Sequence, residues 1–342
     1  MTDLDVSRAA ADAAGLRYVN DATPGIHRRK RGTGFSYERP DGTVITDRTE
    51  RARIAAIAIP PAWTDVWICP APDGHVLATG RDARGRKQYR YHPEWNRVRS
   101  EDKFGALPAF AAVLPGLRDQ VDADLRKRGL PAEKVLALVV RLLDLTLIRV
   151  GNAAYAAENE SYGLTTMLDD HVEVDGADLV FDFVAKGGLE RTVSLEDPRL
   201  ARIVHQVSEL QGQELFAYRL GDAVVEVGSS DVNAYLHEHA GDGITAKHFR
   251  TWGGTVSAAG ALVFTRPPET EADADADRAV LAAFDVAAEV LGNTRAVCRE
   301  SYVHPAIPDA FRTGDLAAAW RRSRATAHLD RIERTVQRIL DP

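Results

Sequence analysis

The chain has 342 residues, 45% of them hydrophobic and 27% charged, with a net charge of −7; this is the profile of an ordinary soluble protein with room for two domains. Two cysteines, Cys69 and Cys298, cannot form a zinc cluster by themselves, and no apolar run approaches the ~20 residues of a membrane span. The opening Met1-Thr2-Asp3-Leu4-Asp5 lacks the apolar core of a secretory signal, so a cytoplasmic protein with reduced thiols is expected.

Charge is unevenly spread. The first 100 residues hold 17 Lys/Arg against 12 Asp/Glu, and the rest hold 26 against 38. His27-Arg28-Arg29-Lys30-Arg31 is one basic cluster, and Arg81, Arg84, Arg86, Lys87 and Arg90 form another. Clusters matter more than totals for phosphate binding, although each is equally compatible with a solvated basic turn. Residues 34–92 read as β-rich, with short segments Thr43–Thr46, Val66–Ile68 and His75–Ala78 bounded by Pro, Gly and Asp. Pro60-Pro61 stops any helix begun at Glu50. Beyond about residue 100 the pattern turns helical, over 108–129 and 132–149. The stretch Glu133–Arg149 is apolar almost all round, which predicts a buried helix. A strand pair, Ala177–Ala185 and Leu189–Leu195, turns at Lys186-Gly187-Gly188. Helices are expected at 197–211, 229–239, 245–264, 277–291 and 315–340, with Glu269–Asp277 a solvated acidic loop. No internal repeat is present. The expected architecture is α+β: a small, basic, β-rich N-terminal domain (1–100) and a larger, mainly α-helical domain (101–342) with a short β-hairpin sheet.

Common catalytic templates are missing. There is no Gly-x4-Gly-Lys-Ser/Thr loop, no His-Glu-x2-His, no paired-Cys metal site and no Gly-x-Ser-x-Gly. Four blocks stand out instead. Arg149 closes the apolar helix and leads into Gly151-Asn152, Tyr155 and Glu158–Thr166; a guanidinium there suits a phosphate's two non-bridging oxygens, or simply complements the helix dipole. Lys186 sits on the hairpin tip, either as a proton donor or as a solubilising turn residue. The block Ile244–Gly253 places Thr245 as a possible helix cap, Arg250 about a turn and a half in, and Phe249 and Trp252 as a possible site wall. Asn293 precedes Ser301-Tyr302-Val303-His304, and a lone tyrosine is usually a packing residue.

Taken in order, these blocks resemble the type IB DNA topoisomerases, particularly the small poxviral and bacterial forms. Arg149 stands at the family's first catalytic Arg, followed by Glu-Asn-Glu-x-x-Gly-Leu-x-Thr at Glu158–Thr166. Lys186 stands at the hairpin Lys, within Phe183-Val184-Ala185-Lys186. Arg250 matches the second Arg of Ile-Thr-x-Lys-x-x-Arg-Thr-Trp/Tyr-Gly, and Tyr302 matches the nucleophile, nine residues after Asn293. The block Arg84-Gly85-Arg86-Lys87-Gln88-Tyr89-Arg90-Tyr91 is similar to the family's DNA-contacting segment, and the likeness spans about residues 15–305. Poxviral members carry His where this chain has Asn293, and Asn donates a hydrogen bond without becoming a cation.

The resemblance implies cleavage of one strand of duplex DNA by Tyr302 through a 3′-phosphotyrosine. Arg149, Arg250 and Asn293 would be donors to the phosphoryl oxygens, and Lys186 the acid for the leaving 5′-oxygen. It implies relaxation of supercoils without ATP, metal or any small-molecule cofactor, with both domains clamping the duplex. It also implies DNA contacts from Arg84, Arg86, Gln88, Tyr89, Tyr91, Tyr155 and Lys247, a monomer, and a nucleoid-associated place in the cytoplasm. Two other readings are a tyrosine recombinase and a non-catalytic DNA-binding architectural protein. Recombinases usually carry His three residues before the second Arg, where Lys247 stands here.

Overall fold

In the N-terminal part the chain alternates short strands with Gly and Pro breaks, and the strands close into one antiparallel sheet. The computed structural model describes residues 3–210, 212–265 and 274–341, in two units, Met1–Lys103 and Phe104–Pro342. The first unit runs α1 (Asp3–Ala13), β1 (Ile26–Arg31), β2 (Gly34–Glu38), α2 (Arg48–Ala56), β3 (Thr64–Ile68), β4 (Val76–Arg81), β5 (Lys87–Tyr91) and α3 (Pro93–Gly105). Its sheet has the order β2-β1-β3-β4-β5. Alternation sends Ile26, Val66, Ile68 and Ala78 to one face, where they pack with Ile45 and with Ile54 of α2.

Two expectations change here. The basic cluster His27–Arg31 is a strand, not a turn: it pairs with β2 from His27↔Glu38 to Arg31↔Gly34. Arg28 is partly buried and donates to the carbonyls of Ile59, Pro60 and Trp63, so it clips the chain after α2. Thr43–Thr46 is not a strand and keeps a single bridge, Glu38↔Val44. Asp41 accepts the Thr43 N–H at 2.9 Å, and Gly42 has φ +84°, so local turn chemistry takes these residues first.

The second unit is mainly helical. It runs α4 (Leu107–Asp124), α5 (Ala132–Thr146), α6 (Ala153–Asn159), β6 (Val172–Asp175), β7 (Asp178–Ala185), β8 (Leu189–Glu196) and α7 (Pro198–Ser208), then β9 (Ala217–Leu220), β10 (Ala223–Glu226) and α8 (Ser229–Ala240). It ends with α9 (Lys247–Val263), α10 (Ala274–Leu291), α11 (Arg295–Ser301), α12 (Ala306–Thr313), α13 (Asp315–Arg322) and α14 (Arg331–Leu340). About half of the chain is helix and under a fifth strand, the α+β class expected from the sequence. α5 is buried among α4, α8, α9 and the sheet, as its apolar composition predicts, and α9 packs against α4, α5, α10, α12 and α14. Around α9 a buried ion cluster joins four helices. Arg118 of α4 binds Asp144 of α5 at 2.7 Å and Glu333 of α14 at 2.8 Å, and Trp252 of α9 donates to Glu333 at 3.1 Å.

Several helix boundaries differ from the periodic pattern. α5 stops at Thr146, three residues before Arg149, because Leu147 takes a left-handed φ of 54°. The Thr146 hydroxyl bonds back to the Leu142 carbonyl at 2.5 Å and accepts the Ile148 N–H at 3.3 Å. The expected helix 315–340 is two helices: Asp330 caps α14 in a reciprocal box with Glu333, which starts a new helix there. Of the expected acidic loop, residues 269–273 lie outside the described residues, and Ala274–Asp277 are the first turn of α10. α1, α3, α6, α11, α12, β6 and the β9–β10 hairpin were not expected. Most are short elements that carry little periodicity.

Candidate active site

α9 organises the site by helical spacing. Arg250 and Gly254 lie four residues apart on one face, so the cation and a gap without a side chain follow each other along the helix. A Cβ on Gly254 would meet the Tyr302 carbonyl at 2.8 Å and the Tyr302 Cβ at 3.2 Å, so glycine lets the tyrosine segment press onto α9. The next residue, Thr255, is fully buried, donates to the Tyr302 carbonyl at 3.2 Å and accepts the His304 N–H at 3.1 Å. The backbone that follows Tyr302 is therefore fixed by α9.

Arg250 is 4% exposed, and its guanidinium lies 5.1 Å from the centre of the Tyr302 ring. It donates to the carbonyls of Leu147 and Leu291, the latter at 2.9 Å, while its Nε is buried with no partner. Burial, then the nearby Arg149 charge, push the Arg250 guanidinium down to about 10; Tyr302 partly restores it and Arg191 lowers it further.

Asn293 follows the end of α10. Gly292, with φ +59°, closes that helix, and the Gly292 and Asn293 N–H groups bond to the Glu289 and Ala288 carbonyls at 3.1 and 2.9 Å. Arg149 donates to Asn293 Oδ1 at 2.8 Å. That contact fixes the amide's orientation, because a guanidinium has no acceptor to offer the NH₂ end. Asn293 Nδ2 is then a buried donor with no partner. Among the described residues no carboxylate pairs with Arg149, Arg191 or Arg250; they meet backbone carbonyls, the Asn293 oxygen and, for Arg250, Tyr302. Four of the five expected catalytic residues thus come together: Arg149, Arg250, Asn293 and Tyr302.

Lys186 stands apart. It is exposed on the β7–β8 turn, where Gly187 and Gly188 take φ of +96° and +73°. Its Nζ lies 5.4 Å from the centre of the Tyr155 ring, so the hairpin tip is docked on α6 and not on Tyr302. Lys247 is exposed at the first position of α9. Thr245 does not cap that helix: its N–H bonds the His248 ring at 3.0 Å, and the cap position is Ala246. Phe249 and Trp252 do not wall the site. They are buried against Phe110, at 5.1 and 6.2 Å between ring centres, because their side of α9 faces the core.

Comparison with known proteins gives the family. The model of the eukaryotic DNA topoisomerase I catalytic core matches residues 92–313, and that of the bacterial DNA topoisomerase IB N-terminal domain matches residues 34–82. The DNA topoisomerase 1B of Acanthamoeba polyphaga mimivirus is 30% identical over 285 residues, 82% of this chain and 85% of that one. The chain belongs to the type IB DNA topoisomerase family. The DNA topoisomerase 1B of vaccinia virus (strain Copenhagen) and the DNA topoisomerase I of monkeypox virus are each 25% identical over 134 residues, 38% of this chain and 43% of theirs.

In this topoisomerase the expected DNA-contacting segment of the N-terminal unit splits between two faces of β5. Tyr89 and Tyr91 are exposed on one face and stack at 5.8 Å with a 9° interplanar angle. Gln88 is on the other face and donates to Asp82 at 3.0 Å. Asp82 also holds Arg86 at 2.8 Å and accepts the Arg84 N–H at 2.9 Å, so it organises the turn that carries the basic cluster. Sequence reasoning missed Arg191, which joins Arg149 and Arg250 around a small cavity with Tyr162 and Phe183. Its one signal was an arginine in phase with Val193 and Leu195 on the less exposed face of β8. It also missed Gly254 and Thr255, since a Gly and a Thr inside a helix look like weak helix formers.

Proposed function

We propose that this chain relaxes supercoiled duplex DNA by transient cleavage of one strand, with Tyr302 as the nucleophile. The observation that carries the reading is a pair of buried donors without acceptors, Arg250 Nε and Asn293 Nδ2, in the cluster that Arg149 and Tyr302 complete. Buried polar groups are nearly always paired, so unpaired donors among uncompensated guanidiniums await an anionic ligand. A phosphodiester supplies the charge and the acceptor oxygens.

The phenol oxygen attacks phosphorus and the bond to the 5′-oxygen breaks. Arg149 and Arg250 take the charge that builds on the non-bridging oxygens, and Asn293 adds a neutral donor. The phenol passes its proton to solvent as it attacks, eased by the adjacent Arg250. Lys186 gives a proton to the departing 5′-oxygen once the hairpin tip leaves Tyr155. The 3′-phosphotyrosyl bond stores the energy of the broken diester, so resealing by the 5′-hydroxyl needs no ATP. The guanidiniums supply the charge that a metal would otherwise provide. The duplex is held mainly through phosphates, by Lys247, Tyr155 and the Arg84–Tyr91 segment, and binding falls steeply with salt.

The test is relaxation of a supercoiled plasmid in EDTA without ATP, comparing wild type with Tyr302→Phe. Wild type relaxes the plasmid, and the variant shifts it in a gel without relaxing it. Relaxation by the variant removes Tyr302 as nucleophile. Binding without relaxation by wild type points to an architectural protein, and site-specific joining of two duplexes to a recombinase.

A further inference from the structure

Resting on strand cleavage by Tyr302, we propose that Arg191 is a positioning residue: from β8 it fixes the C-terminal turn of α10 so that Asn293 presents its free amide to the phosphoryl oxygen. A helix C-terminus carries unpaired carbonyls and partial negative charge, which a nearby cation satisfies. α10 has no basic residue of its own in its last turn. Two arginines from elsewhere do this work. Arg191 Nη2 donates to the Val290 carbonyl at 2.5 Å, and Arg250 Nη2 donates to the next carbonyl, Leu291, at 2.9 Å.

The glycine that closes α10 is shaped around Arg191. Gly292 needs its left-handed φ of +59°, and a Cβ there would fall 2.1 Å from Arg191 Nη1. Arg191 therefore occupies the space a side chain would fill, directly before Asn293. Arg149 holds the Asn293 side chain by Oδ1, and Arg191 holds the turn that carries Asn293 through the Val290 carbonyl. β8 is paired with β7 along its whole length, with Arg191 opposite Phe183, so the arginine is carried by a rigid element. Arg191 belongs to the same charge cluster: burial first, and then the Arg149 charge, hold its guanidinium below its ordinary range.

The experiment is single-turnover cleavage of an end-labelled duplex by the full-length chain. The variants are Arg191→Ala, Asn293→Ala, the double substitution, and Gly292→Ala. Duplex affinity and melting temperature are measured beside the rates. Arg191→Met, which keeps the stem and removes the donors, is the second variant should the alanine form fail to fold. Arg191→Ala is expected to slow cleavage by up to roughly 100-fold, the scale of a misplaced group, with little loss of affinity. In the double variant the rate should equal that of Asn293→Ala alone, because Arg191 acts through Asn293. Gly292→Ala should displace Arg191 and slow cleavage likewise. A folded Arg191→Ala or Arg191→Met protein that cleaves at the wild-type rate overturns the proposal. So do penalties that multiply in the double variant, which would make Arg191 an independent phosphate contact. Absence of cleavage by wild type fails the cleavage reading itself and is recognised by that control alone.

Discussion

Replacing Asn293 with aspartate separates the two ends of its side chain. In the wild type Oδ1 accepts from Arg149 at 2.8 Å and Nδ2 is an unpaired buried donor. Asn293→Asp keeps the shape and turns the Arg149 contact into an ion pair, but it replaces the donor with a negative oxygen. Losing one preorganised donor costs about 2.7–4 kcal/mol, or 10²–10³ in rate. A carboxylate about 4 Å from a phosphoryl oxygen adds about 4 kcal/mol of repulsion at an effective dielectric of about 20. Together these predict a loss on the order of 10⁵-fold for Asn293→Asp, against about 10²–10³-fold for Asn293→Ala. The guanidiniums around it should keep the introduced carboxyl ionised well below its ordinary range, so the loss persists throughout neutral pH. The assay is single-turnover cleavage of a labelled duplex, with affinity measured separately at fixed salt. If Asn293→Asp cleaves as fast as Asn293→Ala or faster, the anchor to Arg149 matters and the free donor does not, and the assigned amide orientation is wrong.

Three further outcomes follow from particular contacts. Burial alone would raise the Glu333 carboxyl, but the bonds and charge of Arg118 override it and hold it below the usual range. A lowered carboxyl contributes stability above the unfolded value of ~4.3 and loses it as pH falls through the folded one, so thermal melts should be flat from pH 7 to about 5 and fall below about 4. Glu333→Gln should cost about 3 kcal/mol at pH 7 by urea titration, near the lower end for a broken buried pair because Asp144 stays on Arg118; an unchanged midpoint refutes the role of that cluster. In salt titrations of duplex affinity, Lys247→Ala should lower the log–log slope by about 1. Arg86→Ala should lower it less, because Asp82 holds Arg86 at 2.8 Å; equal slopes refute this ranking.

What the sequence revealed follows from the range of the forces involved. The α5 and α9 helices, the β7–β8 hairpin and the α+β class were legible because burial leaves a periodic trace in residue order. The α5 terminus at Thr146 was not legible. The positive φ of Leu147 has no local cause in composition; it comes with packing against α9, where a Cβ on Gly253 would strike the Leu147 side chain at 2.4 Å. The same dependence on distant neighbours made Phe249 and Trp252 look like a site wall, because a one-dimensional pattern does not say which side of α9 faces Phe110.

The candidate active-site residues were readable in order, and their roles only through the family resemblance. Arg149, Arg250, Asn293 and Tyr302 were found through an ordered family pattern, and taken singly each had a bland alternative. Their chemistry lies in what they lack. An arginine facing a carboxylate, as Arg118 faces Asp144 and Glu333, is a staple whose charge is already spent within the fold. Among the described residues Arg149, Arg191 and Arg250 meet carbonyls, one amide oxygen and the Tyr302 phenol but no carboxylate, and their mutual repulsion persists in the fold. Arg residues look alike in a sequence whether they staple or wait, so Arg191 was not singled out. Only the fold distinguishes the two, because it shows which cations have been left without a counter-charge.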